Sequence, residues 1–321
     1  RSNLTLVVST SKVVDTTSLQ QTVKTAKASR LLASLPPDYT FTAGDAGTHT
    51  FTAGATLKTP GNQTITATDT GSPSITATSG NITVGIPGFV VTTAADDAVG
   101  TVSNCLAGDP SGSSGLDCSL RDALAAAALD GSGNITFSSS VFTSSNTATQ
   151  NTITLTSGNT LMIPSTTTIT GLTTGSGATL TNLVTVAGGG SSSDFPVFTV
   201  DSGVTGVAIS NLTITNGNST SLGGGGINSY GAVTVTGCTF SGNSSTYAGG
   251  GIYSYTGTLT VTTSSFTGNS SSTYGGGIYN EGILTITNST ISGNTANQPP
   301  SMGGGIFNQA TLTCDDSPLA T

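Results

Sequence analysis

Gly249-Gly250-Gly251-Ile252, then Leu259-Thr260-Val261, then Phe266-Thr267-Gly268-Asn269: a glycine triplet, an alternating strand and a polar corner follow one another in this order. Residues 275–277 with Ile278, Leu284/Ile286 and Ile291-Ser292-Gly293-Asn294 repeat the series. Residues 224–226 with Ile227, Val233/Val235 and Phe240-Ser241-Gly242-Asn243 precede it, and residues 303–305 with Ile306 and Leu312/Cys314 follow. Ile227, Ile252, Ile278 and Ile306 are spaced by 25, 26 and 28 residues. A period of this length, holding several short strands, marks stacked coils. One coil cannot bury its own apolar side, but coils piled at about 4.8 Å share a continuous core. The fold expected is all-β, a right-handed parallel β-helix (β-solenoid). Ile stacks on Ile, Phe240 on Phe266 and Ile291, and Asn243, Asn269 and Asn294 align as an amide ladder. Each glycine triplet is read as backbone at positive φ, where a Cβ would clash.

Upstream the coils are less regular, with strands read at 135–137, 153–155, 161–163, 167–169, 183–186, 198–200 and 207–209. About nine coils over residues 89–321 predict a rod roughly 45 Å long. A helix near 119–129 precedes them. Ser119 caps it, Asp122 completes a capping box, Leu120, Leu124 and Leu129 mark its apolar side, and Gly131 ends it. Such a helix covers the first coil, otherwise an open sheet edge.

Residues 38–86 read as short alternating strands at 39–42, 48–52, 63–68 and 75–84. That is fewer than the seven or so of a full immunoglobulin-like sandwich, so this module is expected to be partial. Residues 1–37 are read as a separate segment: a strand at 3–9 without an evident partner and a helix over 17–34. Ile86-Pro87-Gly88 is the expected hinge.

Composition supports strands and turns over helix or disorder: 7% charged residues, 44 glycines and abundant Thr, Ser and Asn. A net charge of −8 disfavours nucleic acid, whose phosphates call for a basic face. The charge is uneven. Arg1, Lys12, Lys24, Lys27 and Arg30 crowd the first thirty residues, whereas the rest holds only Lys58 and Arg121 against fourteen acids. No apolar run is long enough to span a membrane as a helix.

Cys105 and Cys118 flank a Gly/Ser/Asp-rich loop and are expected to pair in an oxidising compartment, a closure worth about 3 kcal/mol in the chain-entropy model. Cys238 and Cys314 read as inert buried thiols. Asp96, Asp97, Asp109 and Asp117 offer oxygen donors of the kind Ca²⁺ takes, yet solvated loop acids explain them more simply, and no metal or cofactor is expected. Catalysis is not expected either. Beyond Arg121 there is no Lys, Arg or His, and Asp194 and Asp201 have nothing converging on them. His49 lies far from any serine motif. Asn-x-Ser/Thr triplets, Asn243 and Asn269 among them, read mainly as turn chemistry.

Phe89-Val-Val-Thr-Thr, Asp96-Asp97, Cys105 and Cys118-Ser-Leu-Arg-Asp-Ala-Leu124 together resemble the opening of CSLREA-domain proteins of bacterial surfaces, with Asp122 in place of the usual Glu. The glycine-marked coils resemble the Gly-Gly-x-Ile and Phe-x-x-Asn repeats of polymorphic outer-membrane and adhesin-type β-helices, and residues 38–84 are similar to the Ig-like repeats that accompany them. The resemblance implies a secreted or cell-surface bacterial protein, often adhesive.

The function expected is therefore non-enzymatic and structural: a surface filament subunit joined head to tail by strand addition. Leu4, Leu6 and Val8 at one end and Leu312 and Cys314 at the other are the expected assembly residues, with other copies of the chain as partner. The alternative is a monomeric adhesin binding surface glycans, with Tyr247, Tyr253, Tyr255, Tyr274 and Tyr279 as contacts or, more simply, as ladder side chains. A polysaccharide lyase or hydrolase ranks third.

Overall fold

The computed structural model describes residues 3–9, 20–23, 36, 39–40, 42–46, 48–57, 61–69, 74, 76–86, 88–97, 99–105, 117–156, 158–190, 194–220, 223–299 and 302–315. The chain divides into two compact units, Arg1–Pro87 and Gly88–Thr321.

In the first unit every described pairing is antiparallel. The strand expected to lack a partner has one: Asn3–Ser9 runs against Thr48–Thr56. The helix expected over 17–34 is contradicted at Gln20–Val23, a strand lying between Tyr39–Thr40 and Thr66–Asp69. The remainder of 17–34 lies outside the described residues. A segment this short gains more from pairing on both sides than from local helix propensity, which favours neither Thr22 nor Val23. Thr76–Thr78 extends that sheet, and Gly61–Gln63 pairs with Ile82–Val84. The strands that residues 38–86 seemed to lack are thus supplied in part by residues 3–9 and 20–23. Ala55, Leu57 and Ile65 form the small core.

The second unit is a parallel β-solenoid built on three long sheets. The longest runs Gly88–Val91, Gly133–Phe137, Thr167–Thr170, Val207–Ser210, Val233–Thr236, Thr258–Thr262, Ile283–Thr287 and Thr311–Asp315. It stacks Phe89, Ile135, Ile169, Ile209, Val235, Val261, Ile286 and Cys314 in one register. A second sheet of six strands stacks Ile153, Val186, Ile214, Phe240, Phe266 and Ile291. The third, also of six, stacks Leu161, Phe198, Ile227, Ile252, Ile278 and Ile306. The nine or so coils expected are corrected to about five full turns, the longest sheet holding eight strands but the second and third only six each. The irregular early coils are long, so strands such as Leu161–Met162 and Thr167–Thr170 lie on different sides of one turn.

The interior is filled by side chains. Nearly every inward residue of the ladders is buried, and the Phe240 and Phe266 rings stack at 4.5 Å, 2° from parallel. At the corner, Asn243, Asn269 and Asn294 are buried. Asn243 Nδ2 donates to Asn269 Oδ1 and Asn269 Nδ2 to Asn294 Oδ1, both at 2.9 Å. Their second amide hydrogens reach the carbonyls of Ile214 and Phe240, and each acceptor oxygen also takes a backbone N–H. Buried and engaged in this way, Asn243 and Asn269 offer no amide for glycan attachment.

The glycine triplets need correction in detail. Only the first residue of three of them, Gly249, Gly275 and Gly303, has positive φ. In the triplet at 249–251 the later glycines are required for close approach: a Cβ on Gly250 would land on the carbonyl oxygens of Ser270 and Gly276, and one on Gly251 on that of Gly277.

Replacing Asn269 by Ala should strand the Asn243 amide and the Asn294 acceptor in the core. A loss of about 2 kcal/mol or more is expected in urea unfolding of the second unit. An unchanged midpoint would show that the amide ladder contributes nothing.

Candidate functional site

Three surfaces of the solenoid carry chemistry: its capped first rung, an aromatic face, and its last described rung.

The cap is built by helix α1, Leu120–Asp130. Ser119 Oγ accepts from the Asp122 N–H at 3.1 Å and the Asp122 carboxylate accepts from Ser119 N–H, closing the capping box, while Gly131 ends the helix at φ 72°. Leu120 and Leu124 are buried with Ala123, Ala126 and Ala127, but Leu129 is 49% exposed. Nine residues beyond Leu120 at 100° each is half a turn out of phase, so Leu129 lies on the solvent side. Cys105 and Cys118 form a disulfide, Cα atoms 5.0 Å apart. Arg121 grips Asp96 through both Nε (2.9 Å) and Nη2 (3.3 Å), and donates to the carbonyls of Asn159 and Thr160. The consecutive residues Cys118 to Asp122 therefore fix the loop, cap the helix, fill the core, pin the cap to the Leu161 coil and hold the Thr101 and Asn104 turn.

Asp97 lies beside the buried Asp122 carboxylate. Burial, followed by that carboxyl neighbour, holds Asp97 above the usual carboxylate range despite a Ser119 hydrogen bond. Among the described residues no three His, Cys, Asp or Glu side chains converge as metal ligands. Asp96 is committed to Arg121, Asp117 is exposed, and Asp109 lies outside the described residues.

The aromatic face lies outside the third sheet. Tyr253, Tyr279 and Phe307 are in register on successive strands. Tyr253 and Tyr279 stack at 5.0 Å and are 5% and 1% exposed. Burial pushes both phenols up. Tyr279 Oη donates to Glu281 Oε1 at 2.5 Å and accepts from Gln309 Nε2 at 3.0 Å. Tyr247 and Tyr274 meet edge to face at 5.9 Å on one flank, Tyr230 and Tyr255 at 5.8 Å on the other. Tyr255 is 43% exposed, and Tyr230, Tyr247, Tyr274 and Phe307 are half-buried. Of the five tyrosines considered as contacts, Tyr253 and Tyr279 are thus internal supports. Tyr230 escaped the sequence reading, although it stands one coil before Tyr255 in the same position.

At the last described rung, all of Thr311–Asp315 is exposed. Cys314, expected to be buried, is an exposed free thiol, because the described residues place no further coil over the ladder position it shares with Ile286. Cys238 is buried, its thiol pushed up to about 12 by desolvation. Of the other assembly residues, Leu312 is 39% exposed, and Leu4, Leu6 and Val8 belong to the strand paired with Thr48–Thr56. Asp194 and Asp201 are exposed, and His49 stacks on Tyr39 and pairs with Asp45 in the first unit. No helix among the described residues is long and apolar enough to cross a membrane.

Residues 237–255 and 263–281 each match the Chlamydia polymorphic membrane protein repeat. Each segment carries one Phe-x-x-Asn corner and the glycine triplet after it, and spans the strands of the second and third sheets in one turn but not that of the longest sheet. No curated protein and no solved structure matches the chain.

Because the folded state raises the Asp97 pKa, its protonated carboxyl contributes stability that is complete below the ordinary Asp value near 3.9. That contribution is lost as pH rises through the raised folded value. Asp97→Asn should therefore protect the Thr101 and Ser119 amides from hydrogen exchange at pH 7, with the advantage over wild type shrinking toward pH 4. Equal protection at both pH values would refute the raised Asp97 pKa.

Proposed function

We propose that this protein is a non-enzymatic, extracellular structural protein, a right-handed solenoid displayed as an adhesive rod on a bacterial surface. The observation that carries this reading is that the two matched segments are consecutive rungs of one side-chain-filled solenoid. They match a repeat of the Chlamydia polymorphic membrane protein, and the same geometry continues into the neighbouring coils. The hand is the one parallel crossover connections almost always take. The likeness of residues 89–124 to CSLREA openings and of residues 38–84 to Ig-like repeats belongs to the same reading, as does the disulfide, which suits an oxidising compartment. An interior packed with Ile, Val, Leu and Phe and an exterior of Ser, Thr and Asn suit a stiff spacer.

Protease treatment of intact producing cells should remove the solenoid while cytoplasmic proteins survive. A screen of the purified chain against acidic and neutral polysaccharides should release no product. Protection from protease, or turnover of any glycan, would overturn the reading.

A second reading, a filament subunit growing by strand addition, is favoured by one observation: Thr311–Asp315 is exposed and is the outermost described strand of the longest sheet. Its other expected half has weakened, because Asn3–Ser9 is already paired within the chain. Leu312→Lys places a charge on that open rung and should abolish end-to-end polymers in electron micrographs of the purified chain. Polymers of unchanged length would dismiss this rung as the joint.

A further inference from the structure

Six of the chain's seven tyrosines fall between residues 230 and 279, and their rings join in one unbroken cluster outside the third sheet. The contacts within it are of two kinds. Tyr253 lies face to face with Tyr279 at 5.0 Å and 10°, and with Tyr255 at 6.2 Å and 5°. Tyr230 and Tyr255 instead meet edge to face at 5.8 Å and 62°. They come from consecutive coils, which the Tyr255 N–H donating to the Ser229 carbonyl holds together. We infer that Tyr230 and Tyr255 are a site of oxidative cross-linking, where a dityrosine bridge joins two consecutive coils of the solenoid. The oxidant is hydrogen peroxide acting through a haem peroxidase; its supply at a cell surface rests on the reading above, whereas the coupling rests on ring geometry alone.

Each phenol gives up one electron and one proton and becomes a phenoxyl radical, whose unpaired spin is shared with the ring carbons ortho to oxygen. One carbon–carbon bond forms between an ortho carbon of each ring, and the hydrogens on those carbons then move to the oxygens. Hydrogen peroxide takes up both electrons and both protons and leaves as two water molecules, so the protein loses two hydrogen atoms in all. Geometry selects the pair. Face-to-face rings present π-surfaces to each other instead of edges, and Tyr253 and Tyr279, 5% and 1% exposed, have no room to turn. Tyr247 and Tyr274 also meet edge to face, but Tyr279 touches both and Phe307 packs on Tyr274 at 4.8 Å, which fixes their edges. Tyr255 is 43% exposed and, among the described residues, meets only the Tyr230 and Tyr253 rings, so a small turn of its side chain brings the two ortho carbons together. The cluster also supplies the second radical, because an electron lost from one ring is replaced from the rings it touches. Competing donors are few. The chain has no Trp, Cys105 and Cys118 are already a disulfide, and Cys238 is buried. The methionines, Met162 and Met302, take up oxygen and do not couple. Exposed Cys314 is the thiol that competes.

The test is treatment of the purified full chain, carrying Cys314→Ser, with equimolar hydrogen peroxide and a haem peroxidase. The product should show dityrosine fluorescence, run as a monomer on a denaturing gel and have lost two hydrogen atoms by intact mass. Peptic fragments should join Tyr230 to Tyr255. The urea midpoint of the second unit should rise, because a bridge between positions one coil apart also restricts the unfolded chain. Tyr255→Phe, which keeps the ring packing, should lose the intramolecular bridge, and Tyr39→Phe in the first unit should keep it. Absence of dityrosine, bridges formed only between molecules, fragments joining another pair, or an undiminished yield in Tyr255→Phe would each overturn the inference. Protease accessibility on intact cells separates the two claims. A surface-exposed chain whose purified form gives no bridge sinks the cross-link alone, and a chain that forms the bridge but is protected on intact cells sinks the surface reading alone.

Discussion

The solenoid depends on in-register stacking of like on like. Each rung presents an edge of backbone donors and acceptors together with an inward row of apolar side chains, and neither is satisfied within that rung. The rung above must therefore place its own Ile over Ile and its own Asn over Asn. A slip by one residue would turn the inward row outward, because successive side chains alternate. The Asn243–Asn269–Asn294 chain punishes such a slip most severely, since its amides are buried and their hydrogen bonds are made only in the aligned register.

An architecture of this kind has ends, and the two ends of the described rod differ. At Gly88–Val91, helix α1, the Cys105–Cys118 disulfide and the Arg121–Asp96 pair close the first rung. Five consecutive residues accomplish most of this because each faces a different neighbour. At Thr311–Asp315, the outermost described strand, every residue is exposed.

Between its ends the rod's exterior is almost uniformly small and polar, and the tyrosine face is the exception. Its inner rings are buried against the sheet and the outer rings are held by them, so the stripe is as ordered as the core it rests on. Glu281 adds the one negative group of that face, already satisfied by a phenol. The rung spacing that stabilises the solenoid is thereby also expressed on its outer surface.

Much of this was legible in the residues. The glycine triplets, the Phe-x-x-Asn corners and the Ile spacing specify parallel stacking directly, because a repeat must bury its apolar face on its neighbour. The Ser119–Asp122 box likewise specified a helix start by local hydrogen bonding alone. Other features were decided by tertiary structure. Whether Asn3–Ser9 was unpartnered depended on Thr48–Thr56, which starts 39 residues beyond Ser9, and no local pattern announces such a pairing. Gln20–Val23 became a strand because two neighbours could bracket it. Leu129 turned outward by helical phase, and Cys314 was exposed by its place on the last described rung despite an inward ladder position. Period and capping are properties of a short stretch of chain, so sequence determined them; pairing and exposure are properties of what lies beside that stretch, and only the folded chain supplies it.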